Sequence, residues 1–226
     1  MENYDEPSVI REIDNSILSQ TFFRMFMGLL ASAIVAFGTY HSGAYVKLLT
    51  SGTYMGLAIV EIVMVIVFSL AFKHLSSTVV TILFYGYAAV NGITLSTLFA
   101  IYELNSMGYC FLATAIMFGI LSYVAKNTKK DLTKLGEMLP TFLLVGIVLT
   151  IVNIFAKSSL LDIILNWAIL AIFVGLTVWD IKKISMLQAD GICEDEKLYI
   201  YGAMELYLDF INMFLRILRL FGKRRN

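Results

Sequence analysis

The sequence predicts an all-α integral membrane protein with seven transmembrane helices, the last of which lies inside the bundle. Composition is the first observation: hydrophobic residues make up 59% and charged residues 15% of the 226 residues, whereas soluble proteins average about 25% charged residues. The mean hydropathy of +0.80 agrees. The second observation is a series of seven separate apolar stretches of near-spanning length. The third is a stripe of polar side chains on the last stretch, which is too costly to expose to lipid.

Composition also limits the organisation of the chain. The net charge of zero gives no sign of a nucleic-acid partner. Because the polar gaps are short, we expect one membrane domain (21–222) between a cytoplasmic N-terminal segment (1–20) and a basic tail (223–226). Cys110 and Cys193 fall on opposite sides in this topology, so we expect neither a disulfide nor a cysteine-based metal site.

The first twenty residues carry five acids and one arginine, which is the wrong charge for the start of a signal peptide. Ile10, Ile13 and Ile17 stand at helical spacing. This spacing indicates a short interfacial helix that leads into the membrane. We therefore expect this segment to stay on the protein and to lie along the bilayer.

Seven apolar stretches follow, each long enough to cross or nearly cross a hydrocarbon core of about 30 Å. Their approximate limits are Phe22–Tyr40, Tyr54–Phe72, Thr78–Ile101, Met107–Ala125, Leu139–Ala156, Ile163–Ile181 and Leu198–Phe221. The seventh has no glycine or proline between Ala203 and Phe221. A continuous apolar helix favours a full crossing over one that dips and returns.

The loops set the orientation. With a cytoplasmic N-terminus, the inner loops contain eight lysines, and the outer loops contain two, Lys47 and Lys157. The positive-inside rule therefore places the N-terminus in the cytoplasm. A seventh crossing leaves Lys223, Arg224 and Arg225 outside, against the same rule.

Polar residues recur along the seventh stretch at intervals of three and four, so they share one helical face. They are Tyr201, Glu205, Asp209, Asn212, Arg216 and Arg219. Since an ionisable group facing lipid costs several kcal/mol, this face must contact protein or a wet cavity. The seventh helix is therefore predicted to be wrapped by the others.

Other polar residues lie inside the predicted membrane helices. Glu61 is midway along the second stretch, and Asp180 is near the inner end of the sixth. The apolar period of the sixth stretch continues to about Leu187, with Lys182 and Lys183 predicted to snorkel to the headgroups. The neutral polar residues expected to add interhelical hydrogen bonds are Asn91, Thr94, Thr97, Asn153 and Asn166.

Four strings carry a resemblance to a known family. They are ELYLDFINMFLRILRLFG (Glu205–Gly222), TVWDIKKI around Asp180, NGITLS (Asn91–Ser96) and KKDL (Lys129–Leu132). Together they resemble the Bax inhibitor-1 family, also called the transmembrane Bax inhibitor motif family, in its bacterial form. The resemblance covers nearly the whole chain, and LYLDFIN is its most specific part. It implies six helices wrapped as two three-helix layers around a C-terminal seventh, and a pH-sensitive calcium leak.

The resemblance also implies roles for particular residues. Asp180 and Asp209 correspond to the two aspartates of the family's pH sensor. Glu61 matches an acidic position in the second helix, and Arg219 matches a basic position in the last. The supporting polar network is expected to comprise Glu61, Glu205, Arg216, Arg219, Lys73 and Asn91.

The chain departs from the family at two sequence positions, and its loop between the last two helices is also longer. The family often has Asp-Thr-Gln where this chain has Asp180, Ile181 and Lys182. A bacterial member carries an arginine, the partner of the sixth-helix aspartate, where this chain has Phe72 and Lys73. Lys73 is the expected substitute, and because lysine lacks the bidentate fork of arginine, we expect a weaker latch.

The residues alone lead to a similar hypothesis. Asp180 and Asp209 lie at depths where tilted helices let them meet. Two carboxylates held close in a low dielectric cannot both be charged cheaply, so they share a proton and titrate as a pair. The deprotonated pair can accept calcium, which prefers carboxylate oxygens, and the protonated pair cannot. The alternative is that each aspartate is a hydrogen-bonded packing residue.

A second hypothesis concerns Glu61, which lies in the outer half of the second helix. Arg216 and Arg219 of the seventh helix lie at the same level. We therefore expect a buried ion pair between Glu61 and one of these arginines.

Other functions remain open. An intramembrane aspartyl protease also uses two aspartates on successive helices, but it expects Gly-x-Gly-Asp where Leu206, Tyr207 and Leu208 precede Asp209, so we expect no enzyme. A proton-coupled cation transporter or exchanger also needs buried carboxylates, and a non-conducting scaffold is the remaining class. We expect no cofactor. The expected partners are calcium ions, protons and the lipid bilayer. We also expect a monomer in a prokaryotic plasma membrane.

Overall fold

The computed structural model describes residues 15–189 and 195–225. In this part of the chain the helices are α1 Asn15–His41, α2 Ala44–Thr50, α3 Thr53–Ala71, α4 Ser77–Leu95, α5 Leu98–Ile101, α6 Leu104–Asn127, α7 Thr133–Ala156, α8 Ser159–Ala189 and α9 Asp195–Phe221. The predicted all-α class is confirmed. The predictions for Ile10, Ile13 and Cys193 concern positions outside the described residues.

Six spans of the described residues are long and apolar enough to cross a membrane. They are α1, α3, α4 together with α5, α6, α7 and α8. The chain is thus an all-α integral membrane protein. Helix α9 has 27 residues, about 40 Å at the helical rise, but its polar stripe makes it less apolar than the six.

The helix limits differ from the prediction at two places. The third apolar stretch is not one helix, because it breaks at Ser96 and Thr97 between α4 and α5. Both hydroxyls donate to carbonyl oxygens three residues earlier, at 2.6 and 2.8 Å, and such bonds compete with the helical ladder. Ile17 belongs to α1, and not to a separate interfacial helix. The predicted extension of the sixth helix to Leu187 is confirmed, since α8 ends at Ala189.

Helix α9 lies at the centre of the packing. It contacts α1, α4, α6 and α8, while α4 also packs on α1 and α3, and α8 on α6 and α7. Most residues of α9 are buried, whereas Phe68 is the one buried residue of α3. Burial follows from the contacts, because α9 has neighbours on several sides and α3 contacts mainly α4.

Close helix approach depends on glycine at the contact between α1 and α4. A Cβ on Gly92 would lie 2.6 Å from the backbone oxygen of Ser32 and 3.0 Å from its Cα. Real side chains do not come so close to backbone atoms, so the two helices can pack at this distance because residue 92 has no side chain.

Two ends of the bundle can be distinguished. At one end α1 and α9 begin and α8 ends; at the opposite end α1 and α9 end and α8 begins, since α8 runs antiparallel to α9. At the opposite end residues 222–225, which we call the basic strap, fold onto the connection between α5 and α6. Backbone hydrogen bonds join Glu103 N to Lys223 O at 3.0 Å and Arg225 N to Ile101 O at 2.9 Å.

Candidate functional site

The polar stripe of α9 faces α8. Lys183 pairs with Glu205, Asn166 with Arg216, and Asp162 with Arg219, in the order expected for antiparallel helices. We call this contact the polar seam. Its members are Asp162, Asn166, Asp180 and Lys183 of α8 and Tyr201, Glu205, Asp209, Arg216 and Arg219 of α9. The stripe therefore meets protein and not lipid, which explains how α9 can carry so many polar residues.

Asp180 and Asp209 meet in the seam. Their relative exposures are 6% and 4%, and the two carboxyl groups are close enough to interact directly. Carboxylates only accept hydrogen bonds, so a bond between two carboxyl groups requires a proton on one of them. Asp209 Oδ2 is buried and receives no bond from an N–H or hydroxyl group of the described residues. A proton held between the two carboxyl groups would satisfy this oxygen.

One cation and a third acid lie beside this pair. Lys183 Nζ is 3.9 Å from Asp180 Oδ1 and 3.4 Å from Glu205 Oε2, and it lies 5.1 Å from the centre of the Tyr201 ring. The prediction that Lys183 snorkels to the headgroups is wrong, because the lysine turns inward to these acids. Its position three residues after Asp180, on the same helical face, was the signal in the sequence.

Lys73 does not occupy this position. Its side chain is exposed, and its backbone oxygen accepts a hydrogen bond of 2.9 Å from Lys197 Nζ. The expected latch between Lys73 and Asp180 is therefore not formed. Phe72, the preceding residue, instead stacks on Tyr201 with 4.3 Å between ring centres, and the cation beside Asp180 comes from α8 itself.

Apolar side chains separate the carboxyl pair from the opposite end of the seam. Thr177 lies beside Asp209, and its hydroxyl is 2.9 Å from the carbonyl oxygen of Phe173 and 3.5 Å from the Met213 sulfur. Phe173 and Met213 are buried. The carboxyl pair thus has polar neighbours toward the end where α9 begins and an apolar barrier on its other side.

The opposite end of the seam holds both arginines. Arg219 makes two hydrogen bonds to the Asp162 carboxylate, at 2.6 and 3.2 Å, and Arg216 donates to Asn166 Oδ1 at 3.1 Å. The predicted ion pair between Glu61 and one of these arginines is therefore wrong. That prediction rested on the similar depth of Glu61 and the arginines in the membrane. In the structure, α3 packs on α4 and lies away from the side of α9 that faces α8. Asp162 is a site residue that the sequence reasoning missed.

Glu61 belongs to a separate hydrogen-bonded chain. Its carboxylate accepts from Thr94 Oγ1 at 2.6 Å and from Asn91 Nδ2 at 3.3 Å. The Asn91 carbonyl oxygen accepts from the Tyr207 hydroxyl at 2.9 Å, and that hydroxyl lies 2.7 Å from Ser32 Oγ. We call these five residues the Glu61 chain. It joins α3, α4, α9 and α1, and Tyr207 and Ser32 were not predicted from the sequence.

Metal binding by the carboxyl pair would need further ligands. Within residues 15–189 and 195–225, no three or more His, Cys, Asp or Glu side chains are grouped to hold a metal ion. Calcium takes six to eight oxygen ligands. The two carboxyl groups of Asp180 and Asp209 do not complete such a shell by themselves.

The fold and the site together define the class of this protein: it is an integral membrane protein whose helical bundle encloses a pair of acidic side chains. Comparison with known proteins identifies the family: the profile described as Inhibitor of apoptosis-promoting Bax1 matches residues 14–226. The chain belongs to this Bax inhibitor-1 family, as the sequence motifs indicated.

Relatives match over most of their length. The chain is 40% identical to the inner membrane protein YbhL of Escherichia coli K12 over 215 residues, which are 92% of each chain. It is 36% identical to a Borreliella burgdorferi protein over 220 residues, 95% of this chain and 94% of that one. A Deinococcus radiodurans protein is 32% identical over 211 residues, 92% of this chain and 91% of that one.

Proposed function

We propose that this protein is a pH-sensitive calcium leak channel in a bacterial plasma membrane, with Asp180 and Asp209 as the proton sensor and cation site. The observation that carries the proposal is the pair of neighbouring carboxyl groups, buried where α8 meets α9. Membership of a membrane-protein family, with a relative called an inner membrane protein, supports the location.

In this proposal α9 is a seventh transmembrane helix. Its length of 27 residues exceeds what a bilayer requires, and its polar face is covered by α8. The contacts favour two three-helix layers, one of α1, α3 and α4 and the other of α6, α7 and α8, with α9 between them. The N-terminus is cytoplasmic, so the basic strap is external.

External cations run against the positive-inside rule, and the strap offers a reason for the exception. Lys223 Nζ is 2.8 Å from Glu103 Oε1, and Arg225 Nη1 donates to the Tyr40 hydroxyl at 3.0 Å. Two of its three cations are thus bound to groups at that end of the bundle, which offsets part of the cost of their position.

Protonation controls the pair through charge. While one proton is shared, the pair carries one negative charge or less and the two helices are held together by the carboxyl hydrogen bond. Loss of that proton leaves two carboxylates in contact, which repel each other in a low dielectric. Repulsion separates α8 from α9 and at the same time provides oxygen ligands for a hard cation.

The apolar barrier around Phe173 and Met213 is closed in this conformation, since both side chains are buried. Conduction therefore requires α8 and α9 to move apart along the seam. The repulsion within the deprotonated pair acts at the place where this movement must begin, one to two turns from the barrier.

Calcium flux into proteoliposomes, measured from pH 5 to pH 8, tests the proposal. Wild type is expected to conduct more as the pH rises, and Asp180→Asn and Asp209→Asn are expected to lose this dependence. Asp131→Asn is the matched control. Asp131 is exposed, and hydrogen bonds from the side chain and backbone N–H of Thr133 hold its pKa below the usual value, so it keeps its charge throughout. If calcium flux in Asp209→Asn depended on pH as it does in wild type, the proposal would be contradicted.

The same experiment distinguishes the main alternative, a proton-coupled exchanger. In that case calcium uptake is accompanied by proton movement in the opposite direction, which a pH dye inside the vesicles reports. A leak channel moves calcium down its gradient without obligatory counterflow, and a scaffold gives no flux in any variant.

A further inference from the structure

A cavity of about 430 Å³ lies at the strap end of the bundle. Its walls come from three separate parts of the chain: the end of α1, the connection between α5 and α6, and the basic strap. The residues that matter for its chemistry are Tyr40, His41, Phe99, Tyr102, Glu103 and Arg225. None of them belongs to the polar seam or to the Glu61 chain.

The cavity combines a cation with an anion and aromatic rings. The Arg225 guanidinium uses Nη1 for the Tyr40 hydroxyl, which leaves its other N–H groups available. Glu103 pairs with Lys223 through Oε1, which leaves the second carboxylate oxygen free to accept. The rings of Tyr40 and Phe99 are in contact, with 5.4 Å between their centres.

The strap holds Arg225 in a fixed position. Residues 101–103 and 223–225 are joined by the two backbone hydrogen bonds given above, which together form an antiparallel bridge between Tyr102 and Arg224. Lys223 N also donates to Ser106 Oγ at 2.8 Å. The guanidinium is therefore presented on an ordered backbone, which lowers the entropy lost when it binds an anion.

The mouth of the cavity is continuous with the apolar surface that faces lipid. Phe37 and Leu104 line it and are 53% and 64% exposed. The cavity lies where a membrane helix ends and aromatic side chains cluster, which is the usual depth of phospholipid headgroups.

We propose that this cavity binds the headgroup of a zwitterionic phospholipid with a primary amine, that is, a phosphatidylethanolamine. The phosphate lies on the guanidinium of Arg225, which matches phosphate geometry. The ammonium lies against the Tyr40 and Phe99 rings and the free oxygen of Glu103, since aromatic faces and a carboxylate both attract a cation. The acyl chains leave past Phe37 and Leu104 into the bilayer.

The proposal is tested by lipid binding to the full-length, delipidated protein in detergent, followed by native mass spectrometry. Dioleoyl phosphatidylethanolamine is titrated beside dioleoyl phosphatidylglycerol, which has the phosphate but no amine. Wild type is expected to bind the ethanolamine lipid at least several-fold more tightly. Arg225→Gln is expected to weaken binding of both lipids tenfold or more, and Glu103→Gln is expected to remove the preference while phosphatidylglycerol binding stays.

Two controls keep the test decisive. Lys47→Gln removes an exposed cation of α2 at the same end but outside the cavity, and it is expected to bind both lipids as wild type does. Arg225→Lys keeps the positive charge and is expected to recover part of the binding lost in Arg225→Gln. If Arg225→Gln acted only by disrupting the structure of the strap, restoring the charge would not recover binding. Equal affinity of wild type for the two lipids, or the same loss in Lys47→Gln as in Arg225→Gln, overturns the proposal.

Discussion

Glu61 and Asp209 are both acidic side chains enclosed between helices of the same bundle, yet they differ in the hydrogen bonds offered to their oxygens. Each carboxylate oxygen of Glu61 accepts from a neutral donor, Thr94 or Asn91. Asp209 Oδ2 has no such donor among the described residues, and its neighbour is another acid, Asp180. Hydrogen bonds donated to a carboxylate favour its ionised form, whereas a second acid beside it disfavours that form.

In the proposed function, this difference distinguishes Glu61, an acid with a packing role, from the carboxyl pair that senses pH. The Glu61 chain ties the peripheral helix α3 to α4, α9 and α1 through hydrogen bonds from neutral donors. The carboxyl pair is proposed to change both its charge and its hydrogen bond when a proton leaves. The two regions share α9, through Tyr207 and Asp209, but they lie on different sides of that helix.

The largest effect is expected from a comparison of two variants, one that neutralises the carboxyl pair and one that neutralises Glu61. Asp180→Asn combined with Asp209→Asn should reduce the ratio of calcium flux at pH 8 to that at pH 5 from about tenfold or more to less than twofold, because no titrating pair is left. Glu61→Gln should keep the wild-type ratio, even where the flux itself changes. Proteoliposome flux normalised to protein incorporation measures both, and a lost pH response in Glu61→Gln would remove the distinction between the regions.

Removal of the cation beside the carboxyl pair is expected to move the pH response without abolishing it. Lys183 stabilises the ionised form of Asp180 at 3.9 Å, so in Lys183→Met the pair keeps its proton to higher pH. The midpoint of the flux curve should move upward by about one pH unit, equivalent to about 1.4 kcal/mol. Lys182→Met, the neighbouring lysine without an ion pair in the described structure, is the matched control. A downward shift in Lys183→Met contradicts the assigned geometry.

The sequence was informative about depth and face but not about which helix receives a face. Spacing along α9 showed that Glu205, Asp209, Arg216 and Arg219 share one side, because helical periodicity is a property of one segment. Their partners depend on how helices are arranged around α9, which local periodicity does not encode. This is why the depth of Glu61 suggested an arginine partner while the structure gives it Thr94 and Asn91.

Lysine orientation was mispredicted for a related reason. Lys182 and Lys183 are adjacent and equally able to snorkel, so a hydropathy pattern treats them alike. In the structure one helical step turns Lys183 toward Glu205, and the i, i+3 spacing from Asp180 was the local feature that favoured it. The strap and its cavity could not be predicted, since they arise from contacts between positions more than one hundred residues apart.

We expect the Glu61 chain to depend on the close packing of α1 on α4. We do not expect the polar seam to depend on that packing. In Gly92→Ala the new Cβ would lie 2.6 Å from Ser32 O, so the helices must separate, at a cost of about 1–3 kcal/mol. The midpoint of thermal unfolding in detergent, followed by circular dichroism, should fall. Gly119→Ala meets nothing within 4 Å and should leave the midpoint unchanged or raise it slightly, since alanine favours helix. Equal behaviour of the two variants would show that α1 and α4 can yield without strain.

The smallest expected effect concerns the single hydroxyl that links the Glu61 chain to α9. Tyr207→Phe removes the donor to Asn91 Oδ1 and the partner of Ser32 Oγ, while Ser32 keeps the Ala88 carbonyl as an acceptor at 2.7 Å. A buried hydrogen bond contributes about 1 kcal/mol, so thermal unfolding should begin at a slightly lower temperature. Tyr123→Phe, whose ring is 71% exposed, should show no change. Because Tyr207 contacts neither acid of the pair, its loss should leave the midpoint of the flux curve in place. A shift as large as that of Lys183→Met would mean that the two regions are coupled through α9.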